Sequence, residues 1–90
     1  MQKSIITVVG RDAVGIIAKV CTYLSGNMCN IEDISQTITG GYFNMMMVAD
    51  LSQSPKQFSE IRHELQQIGE EIGVSIHVQR EEIFDNMHRI

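Results

Sequence analysis

The sequence predicts an α+β fold in which four strands form one antiparallel sheet and two helices cover one face. Strand-type and helix-type hydrophobic patterns follow each other in the order strand, helix, strand, strand, helix, strand. The glycine pair Gly40-Gly41 separates the second and third strand patterns and is typical of a tight antiparallel hairpin. Both helical segments have apolar residues along one face only. This order is the split β-α-β, or ferredoxin-like, arrangement, which places the second and fourth strands at the sheet edges.

The first strand and the first helix are predicted near the start of the chain. Residues Lys3 to Val9 place apolar side chains on both faces, which indicates a strand in the middle of the sheet. The following helix is predicted from apolar residues at steps of three and four, namely Ile17, Val20, Leu24 and Met28. Asp12 is a candidate N-cap for this helix. Gly26 and Asn27 are expected to end it, because either residue adopts the left-handed conformation readily.

The second strand, Ile31 to Thr39, has the alternation of a half-exposed edge strand. Its Gln36 lies on an otherwise apolar face and is expected to need a partner, either a ligand or a backbone group. The third strand, Tyr42 to Leu51, contains the run Met45-Met46-Met47. Methionines there are either an adaptable binding surface or core filler, and a strand covered on both faces favours core filler.

The second helix is predicted to begin at Ser54-Pro55-Lys56-Gln57, which combines an N-cap serine, proline at the first helical position and glutamine at the third. Its apolar stripe consists of Phe58, Ile61, Leu65, Ile68 and Ile72. Gly73 is the expected C-terminal cap, and the alternating residues from Val74 onward predict the fourth strand. Residues 81–90 predict a short amphipathic C-terminal helix that covers apolar surface on this domain or on a neighbour.

Composition and charge exclude several classes of function. A chain of 90 residues with 43% hydrophobic and 20% charged residues is expected to form one domain over residues 1–90. The net charge of −4, with seven basic residues scattered along the sequence, disfavours nucleic-acid binding. No apolar run is long enough for a membrane span or a signal peptide, so we expect a cytoplasmic protein with no membrane partner.

No catalytic, metal or cofactor site is predicted. Cys21 and Cys29 lack the spacing of a zinc or redox pair, and the three histidines lie far apart in the sequence. The acidic pairs are expected to be solvated, and no nucleophile has a base at a suitable spacing. An enzyme is therefore the least favoured class.

The segment that joins the first strand to the first helix, residues 10–16, is the most informative; we refer to it as the first loop. It reads Gly10-Arg11-Asp12-Ala13-Val14-Gly15-Ile16 and leads into a helix whose first amides have no partners. Its two glycines let a carboxylate approach the backbone, and the helix dipole favours the negative charge. The alternative is a turn that needs glycine for its own geometry. The residues after Gly15 exclude a phosphate-binding loop of the nucleotide type.

The stretch from Gly10 to Ile38 resembles the start of an ACT domain. The motifs that carry the resemblance are Asp12-x-x-Gly15-Ile16 after a strand, Ala18 and Val20 within the helix, and Asn30-Ile31 opening the next strand. The stretch is similar to the ACT domains of the glycine cleavage repressor and of the amino-terminal half of formyltetrahydrofolate deformylase. Residues 82–90 resemble the ending of small proteins made of one ACT domain and little else.

This resemblance implies a regulatory domain that senses a small molecule such as an amino acid, acts as a homodimer and controls a protein partner. In this family, ligands bind where the first loop of one domain meets the second strand of its partner. The corresponding residues in this chain are Asp12, Ala13, Val14, Gly15, Ile16, Asn30 and Ile31. From the residues alone, Asn30 is either a ligand contact or a turn residue that bonds its own backbone.

The second strand also predicts how two copies would associate. It contains neither proline nor lysine, the residues that usually block pairing at a sheet edge. We therefore expect a homodimer in which two such strands pair around a two-fold axis. The alternative function is a protein-protein assembly module with the same exposed edge and no small ligand.

Overall fold

The computed structural model describes residues 3–11 and 14–82. The elements are β1 (Lys3–Arg11), α1 (Ile16–Gly26), β2 (Asn30–Thr39), β3 (Tyr42–Asp50), α2 (Phe58–Ile72) and β4 (Val74–Arg80). The four strands form one antiparallel sheet in the order β2-β3-β1-β4. The predicted ferredoxin-like arrangement is confirmed, and β2 and β4 are its edges as expected.

The core lies between the sheet and the two helices, and β1 runs through its middle. Ile6 of β1 pairs with Met47 of β3 on one side and with Val78 of β4 on the other. All three side chains are buried, as are Leu24 of α1 and Leu65 of α2. Because successive side chains of a strand point to opposite faces, this register brings every second residue of three strands under the helices.

The hairpin between β2 and β3 forms as predicted. Gly40 and Gly41 both have positive φ values, 59° and 82°, which a two-residue turn of the type I′ kind requires. In β3, Met45 and Met47 are buried in the core, whereas Met46 points to the other face and is 41% exposed. The interpretation of the methionines as core filler therefore holds for two of the three.

The start of α2 differs from the prediction. Its N-cap is Gln57, and Gln57 and Glu60 form the capping box, in which the Gln57 N–H donates to the Glu60 carboxylate (3.4 Å). Ser54 belongs to a separate turn, where its hydroxyl accepts from the Lys56 N–H (3.2 Å). The serine therefore bonds its local backbone before the helix begins. At the other end, Gly73 has φ 82° and is the C-terminal cap, as predicted.

The residues that cap α1 also differ from those predicted. The N-cap is Gly15, with φ 88°, and not Asp12. The helix ends at Gly26 as expected, but the left-handed residue is Met28, with φ 59°. Asn27 keeps a negative φ and donates from its side-chain amide to the Tyr23 carbonyl (2.8 Å), so its amide closes the last turn through a hydrogen bond.

The edge strand β2 is more exposed than its alternation predicts. Every residue from 32 to 39 is exposed, although Ile34 and Ile38 point to the same face as the core. The core-facing side chains of β1, β3 and β4 are buried, whereas these two isoleucines of β2 are 43% and 57% exposed. Gln36 lies between them and is exposed too, so water can satisfy its amide and the expected need for a buried partner is wrong.

Two expectations concern the chain end and membranes. Of the predicted C-terminal helix, only Glu81 and Glu82 fall within the described residues, and the rest stays a prediction. Over the ranges 3–11 and 14–82, neither helix is long and apolar enough to cross a membrane.

Candidate ligand-binding site

The first loop leaves the sheet after Arg11 and enters α1 at Ile16. Asp12 and Ala13 lie outside the described residues. Val14 is fully exposed, whereas Ile16 turns inward and is 2% exposed. Gly15 adopts φ 88°, and its carbonyl accepts the Lys19 N–H (2.9 Å) as the first bond of the helix. The loop therefore has one buried anchor and one open position next to the helix start.

The two glycines of the first loop have different roles. A Cβ at Gly10 would lie 2.7 Å from a side-chain carbon of Val74, so the contact between β1 and β4 requires glycine there. A Cβ at Gly15 would meet nothing within 4 Å. Gly15 thus fits both interpretations, since its positive φ favours glycine and its outer side is open to a ligand.

The start of α1 is suited to binding an anion. In the described part of the chain, no side chain caps this helix and no acidic residue lies in its first turn. The first amides of a helix lack internal partners, and the dipole places a partial positive charge at this end. In α2, by contrast, Glu60 lies in the first turn and takes part in the capping box. A ligand carboxylate at Gly15 would therefore meet no competing protein carboxylate in the described part of α1.

Asn30 and Ile31 lie far from the first loop within one chain. Asn30 pairs with Asp50, which in turn pairs with Lys3 at the start of β1. The first loop, residues 10–16, lies at the opposite end of β1. The ten residues of β2 separate the two ends of the sheet by about 30 Å. The structure therefore does not bring the predicted loop and strand residues together in a single chain.

The environment of Asn30 helps to distinguish a ligand contact from a turn residue that bonds its own backbone. Asn30 is exposed, and within the described ranges its side chain makes no hydrogen bond to its own backbone. The turn interpretation is therefore not supported, and the amide is available to a ligand. Ile31, by comparison, is half-buried and packs against the core.

Exposed apolar side chains occur on α1, just before it, and on the edge strand β2. Ile17 of α1 is 37% exposed, and Ile34 and Ile38 of β2 are exposed on the same side of the sheet. Val14 lies at the start of α1, also exposed. We call these four exposed side chains the edge cluster: Val14, Ile17, Ile34 and Ile38.

The structure also has a basic surface that was not predicted from the sequence. Lys56, Arg62 and Arg80 line one depression of about 690 Å³ between the start of α2 and the end of β4. The sequence separates these residues by up to 24 positions, and the basic residues were therefore interpreted as scattered. Only the spacing of four between Phe58 and Arg62, which places both on one face of a helix, is a local signal of this surface.

Next to this depression, Glu64 accepts two short hydrogen bonds. The Lys56 ammonium donates to its carboxylate at 2.6 Å and the Tyr23 hydroxyl at 2.5 Å. Both hydrogen bonds lower the pKa of Glu64 from its ordinary value, and the one from Lys56 contributes more than the one from Tyr23. Burial, and then the bond to Glu64, raises the pKa of Tyr23. These contacts connect α1 to α2 and keep Glu64 ionised.

This network predicts acid sensitivity. Because the pKa of Glu64 is lowered in the folded state, its contribution to stability is present above its unfolded pKa of about 4.3 and is lost as the pH falls below it. Glu64→Gln is therefore expected to reduce the drop in melting temperature on acidification, measured by circular dichroism. Glu70→Gln changes an exposed glutamate for which the described residues provide no ion-pair partner, and it serves as the control. Equal acid sensitivity of Glu64→Gln and the parent would contradict this role.

The two cysteines are free thiols, as expected. Cys29 is buried, and burial raises the pKa of its thiol, which makes it a poor nucleophile at neutral pH. Cys21 is half-buried and packs against the core. Across residues 3–11 and 14–82, no group of three histidine, cysteine or acidic side chains is placed to hold a metal ion.

Comparison with known proteins identifies the family. The model of the ACT domain matches residues 2–79. A UPF0237 protein of Bifidobacterium longum is 59% identical over 90 residues, which are the whole of both chains. An ACT domain protein from Streptococcus pneumoniae has 41% identity and a TM-score of 0.81 over 92% of this chain and 93% of that one.

Two further solved structures match the resemblance found in the sequence. A protein assigned as a glycine cleavage system transcriptional repressor has 26% identity and a TM-score of 0.75, over 88% of this chain and 45% of the other. A formyltetrahydrofolate deformylase from Pseudomonas syringae shares the fold at 23% identity and a TM-score of 0.82, over 89% of this chain and 28% of that chain. From its fold, the match over residues 2–79 and its full-length relatives, the chain belongs to the ACT domain family.

Proposed function

We propose that the whole chain acts as one ACT domain, a regulatory module of the cytoplasm that binds an amino acid between two copies of itself. One observation carries this proposal. The open helix start at Gly15 and the available amide of Asn30 lie at opposite ends of the sheet, so one chain alone cannot present both to a small ligand.

Pairing of two β2 strands would bring Asn30 of one copy closer to the Gly15 helix start of the other. In an antiparallel pair with its two-fold axis near Ser35, Asn30 of the second copy would lie opposite the Gly40-Gly41 turn. That turn is at the same end of the sheet as the first loop, since Arg11 pairs with Tyr42. The partner's strand would thus reach across the edge toward the start of α1.

The exposed surface supports the same pairing. Ile34 and Ile38 are exposed along β2, and in this register Gln36 of the second copy would lie opposite Ile34 and cover part of its apolar surface. Removing apolar surface from water favours association by about 25 cal/mol per Å². The unpaired backbone groups of the edge would gain hydrogen bonds at the same time.

The chemistry of the α1 start and of the Asn30 side chain indicates which ligand the proposed site would bind. The amides at the start of α1 suit a carboxylate, because helix N-termini bind anions without a charged side chain. The Asn30 side chain both donates and accepts, so it can bond an ammonium group or a second polar group. A free amino acid has a carboxylate and an ammonium on neighbouring atoms, which fits a site with these two kinds of contact.

The family relation is consistent with this role. The glycine cleavage system repressor named above is, by its name, a regulator of transcription, and this chain shares its fold at 26% identity. In this chain, ligand binding would change the stability or geometry of the dimer and thereby control a protein partner. The coupling requires that the ligand prefer one state of the assembly.

A thermal-shift screen of the common amino acids tests this function. A ligand at one hundred times its dissociation constant stabilises the folded form by about 2.7 kcal/mol, which corresponds to a rise in melting temperature of about 10 °C or more. The amide derivative of the same amino acid is the control, because it lacks the carboxylate and should give no comparable shift. If no amino acid changes the melting temperature, an assembly module without a ligand replaces this proposal.

A further inference from the structure

The depression between α2 and β4 lies apart from the first loop and from β2. It is lined by the basic residues Lys56, Arg62 and Arg80, by the ring of Phe58, and by hydroxyl residues that include Ser54 and Ser59. Its volume of about 690 Å³ falls within the range of small-molecule sites. Three of the seven basic residues of an acidic chain therefore share one concave surface.

Among residues 3–11 and 14–82, two of these three cations have no ion-pair partner. Lys56 forms an ion pair with Glu64, but Arg62 and Arg80 have no carboxylate partner in the part of the chain that the structure describes. The nearest other acid of α2, Glu60, is directed back to the Gln57 N–H as part of the capping box. The depression therefore keeps positive charge although the chain has a net charge of −4.

The arrangement of the arginines suits a tetrahedral oxyanion. The Arg80 guanidinium lies over the Phe58 ring, 4.5 Å from its centroid, and this contact orients the group without using its N–H donors. Arg62 follows Phe58 by four residues and lies on the same side of α2. Guanidinium groups bind phosphate oxygens through paired N–H donors, and the serine hydroxyls can donate to the remaining oxygens.

We propose that this depression binds the phosphate group of a small phosphorylated molecule, with Arg62 and Arg80 as its principal contacts. The charge comes from the guanidiniums of Arg62 and Arg80, which have no carboxylate partner among residues 3–11 and 14–82, and not from the start of α2, where Glu60 already lies. The size of the depression leaves room for the rest of a metabolite. The site requires neither the first loop nor a second copy of the chain, so it is independent of the amino-acid site.

Titration of the isotope-labelled protein with inorganic phosphate and with pyrophosphate, followed by NMR at constant ionic strength, tests this inference. Saturable shifts are expected for the amides of residues 52–62 and for Arg80, with pyrophosphate binding more tightly. Arg80→Gln and Arg62→Gln should each weaken binding by about tenfold or more, the loss expected for a charged hydrogen bond. Both side chains belong to exposed residues, so the variants should remain folded, and circular dichroism checks this.

Arg11→Gln is the matched control. Arg11 also lies over an aromatic ring, that of Tyr42 at 5.7 Å, but at the opposite end of the sheet. Its loss removes the same charge and should leave phosphate binding unchanged. The proposal is overturned if neither anion gives saturable shifts in residues 52–62, or if Arg11→Gln weakens binding as much as Arg80→Gln, since general charge attraction would then explain the result.

Discussion

Gln36→Pro is expected to convert the proposed dimer into a folded monomer. In a two-residue hairpin, the residues next to the turn exchange hydrogen bonds, and such pairs alternate along the strands. Thr39 pairs with Tyr42 at the turn, so Thr37 also bonds across to β3, while the N–H of Gln36 points outward at the free edge. Proline at Gln36 removes an outward donor and adds bulk at the edge, yet keeps the bonds to β3.

Sedimentation equilibrium at micromolar concentration measures this change, with circular dichroism to confirm the fold. Gln36→Ala is the matched control, because it removes the side chain but retains the backbone donor, and it should stay dimeric. Thr37→Pro is a poorer test, since it would break the sheet of the monomer itself. A parent protein that sediments as a monomer, or a dimer that persists in Gln36→Pro, would exclude pairing through β2.

Gly15→Asn is expected to abolish amino-acid binding without unfolding the protein. Asparagine tolerates the left-handed conformation that φ 88° requires, and its side chain would enter the open space where we propose that the ligand carboxylate binds. Valine at this position would add backbone strain of about 1 to 3 kcal/mol, so a loss of binding would be ambiguous. Asn30→Ala should weaken binding by about 1 to 3 kcal/mol if a buried hydrogen bond is lost.

Calorimetry with the ligand found in the screen measures both effects. Gly73→Asn is the control for Gly15→Asn, because Gly73 has φ 82° and equally open surroundings but lies next to β4, away from the proposed site. It should bind as the parent does. Unchanged affinity in a folded Gly15→Asn protein would remove the first loop from the site.

The sequence was sufficient to predict the fold because its hydrophobic period changes cleanly from element to element. The Gly40-Gly41 pair fixed the hairpin and hence the register of β2 on β3, and the two-faced apolar pattern of Ile5 and Ile6 placed β1 centrally. Both sequence patterns involve neighbouring residues only, so they can be recognised without the structure. The order of the strands then followed from the right-handed crossovers of the split β-α-β arrangement.

Helix ends were predicted less well, because several residues near each end can act as a cap. Ser54 and Gln57 both precede α2 with suitable side chains, and Ser54 bonds its own turn instead. In α1, the positive φ fell on Met28, a residue type that rarely adopts it, and no sequence pattern indicates this. Such choices depend on a few tenths of a kcal/mol and on tertiary contacts.

The candidate site was only partly accessible to sequence analysis. The loop site at Gly15 stays a prediction, and the alternation of β2 could not show that its isoleucines at the sheet edge are exposed. The basic depression could not be predicted from the sequence, because Lys56, Arg62 and Arg80 belong to a loop, a helix and a strand end that are far apart along the chain. Contacts between distant segments need the packed structure.

A mixing experiment tests the shared site most directly. Gly15→Asn and Asn30→Ala chains are purified separately, combined, and allowed to exchange subunits before calorimetry with the amino-acid ligand. In a mixed dimer, the intact first loop of one chain meets the intact Asn30 of the other, so one of the two sites is restored. We expect the mixture to regain parent affinity in a fraction of its sites, while each variant alone binds weakly. A mixture that exchanges subunits and still binds no better than the separate variants would contradict a site formed by two copies.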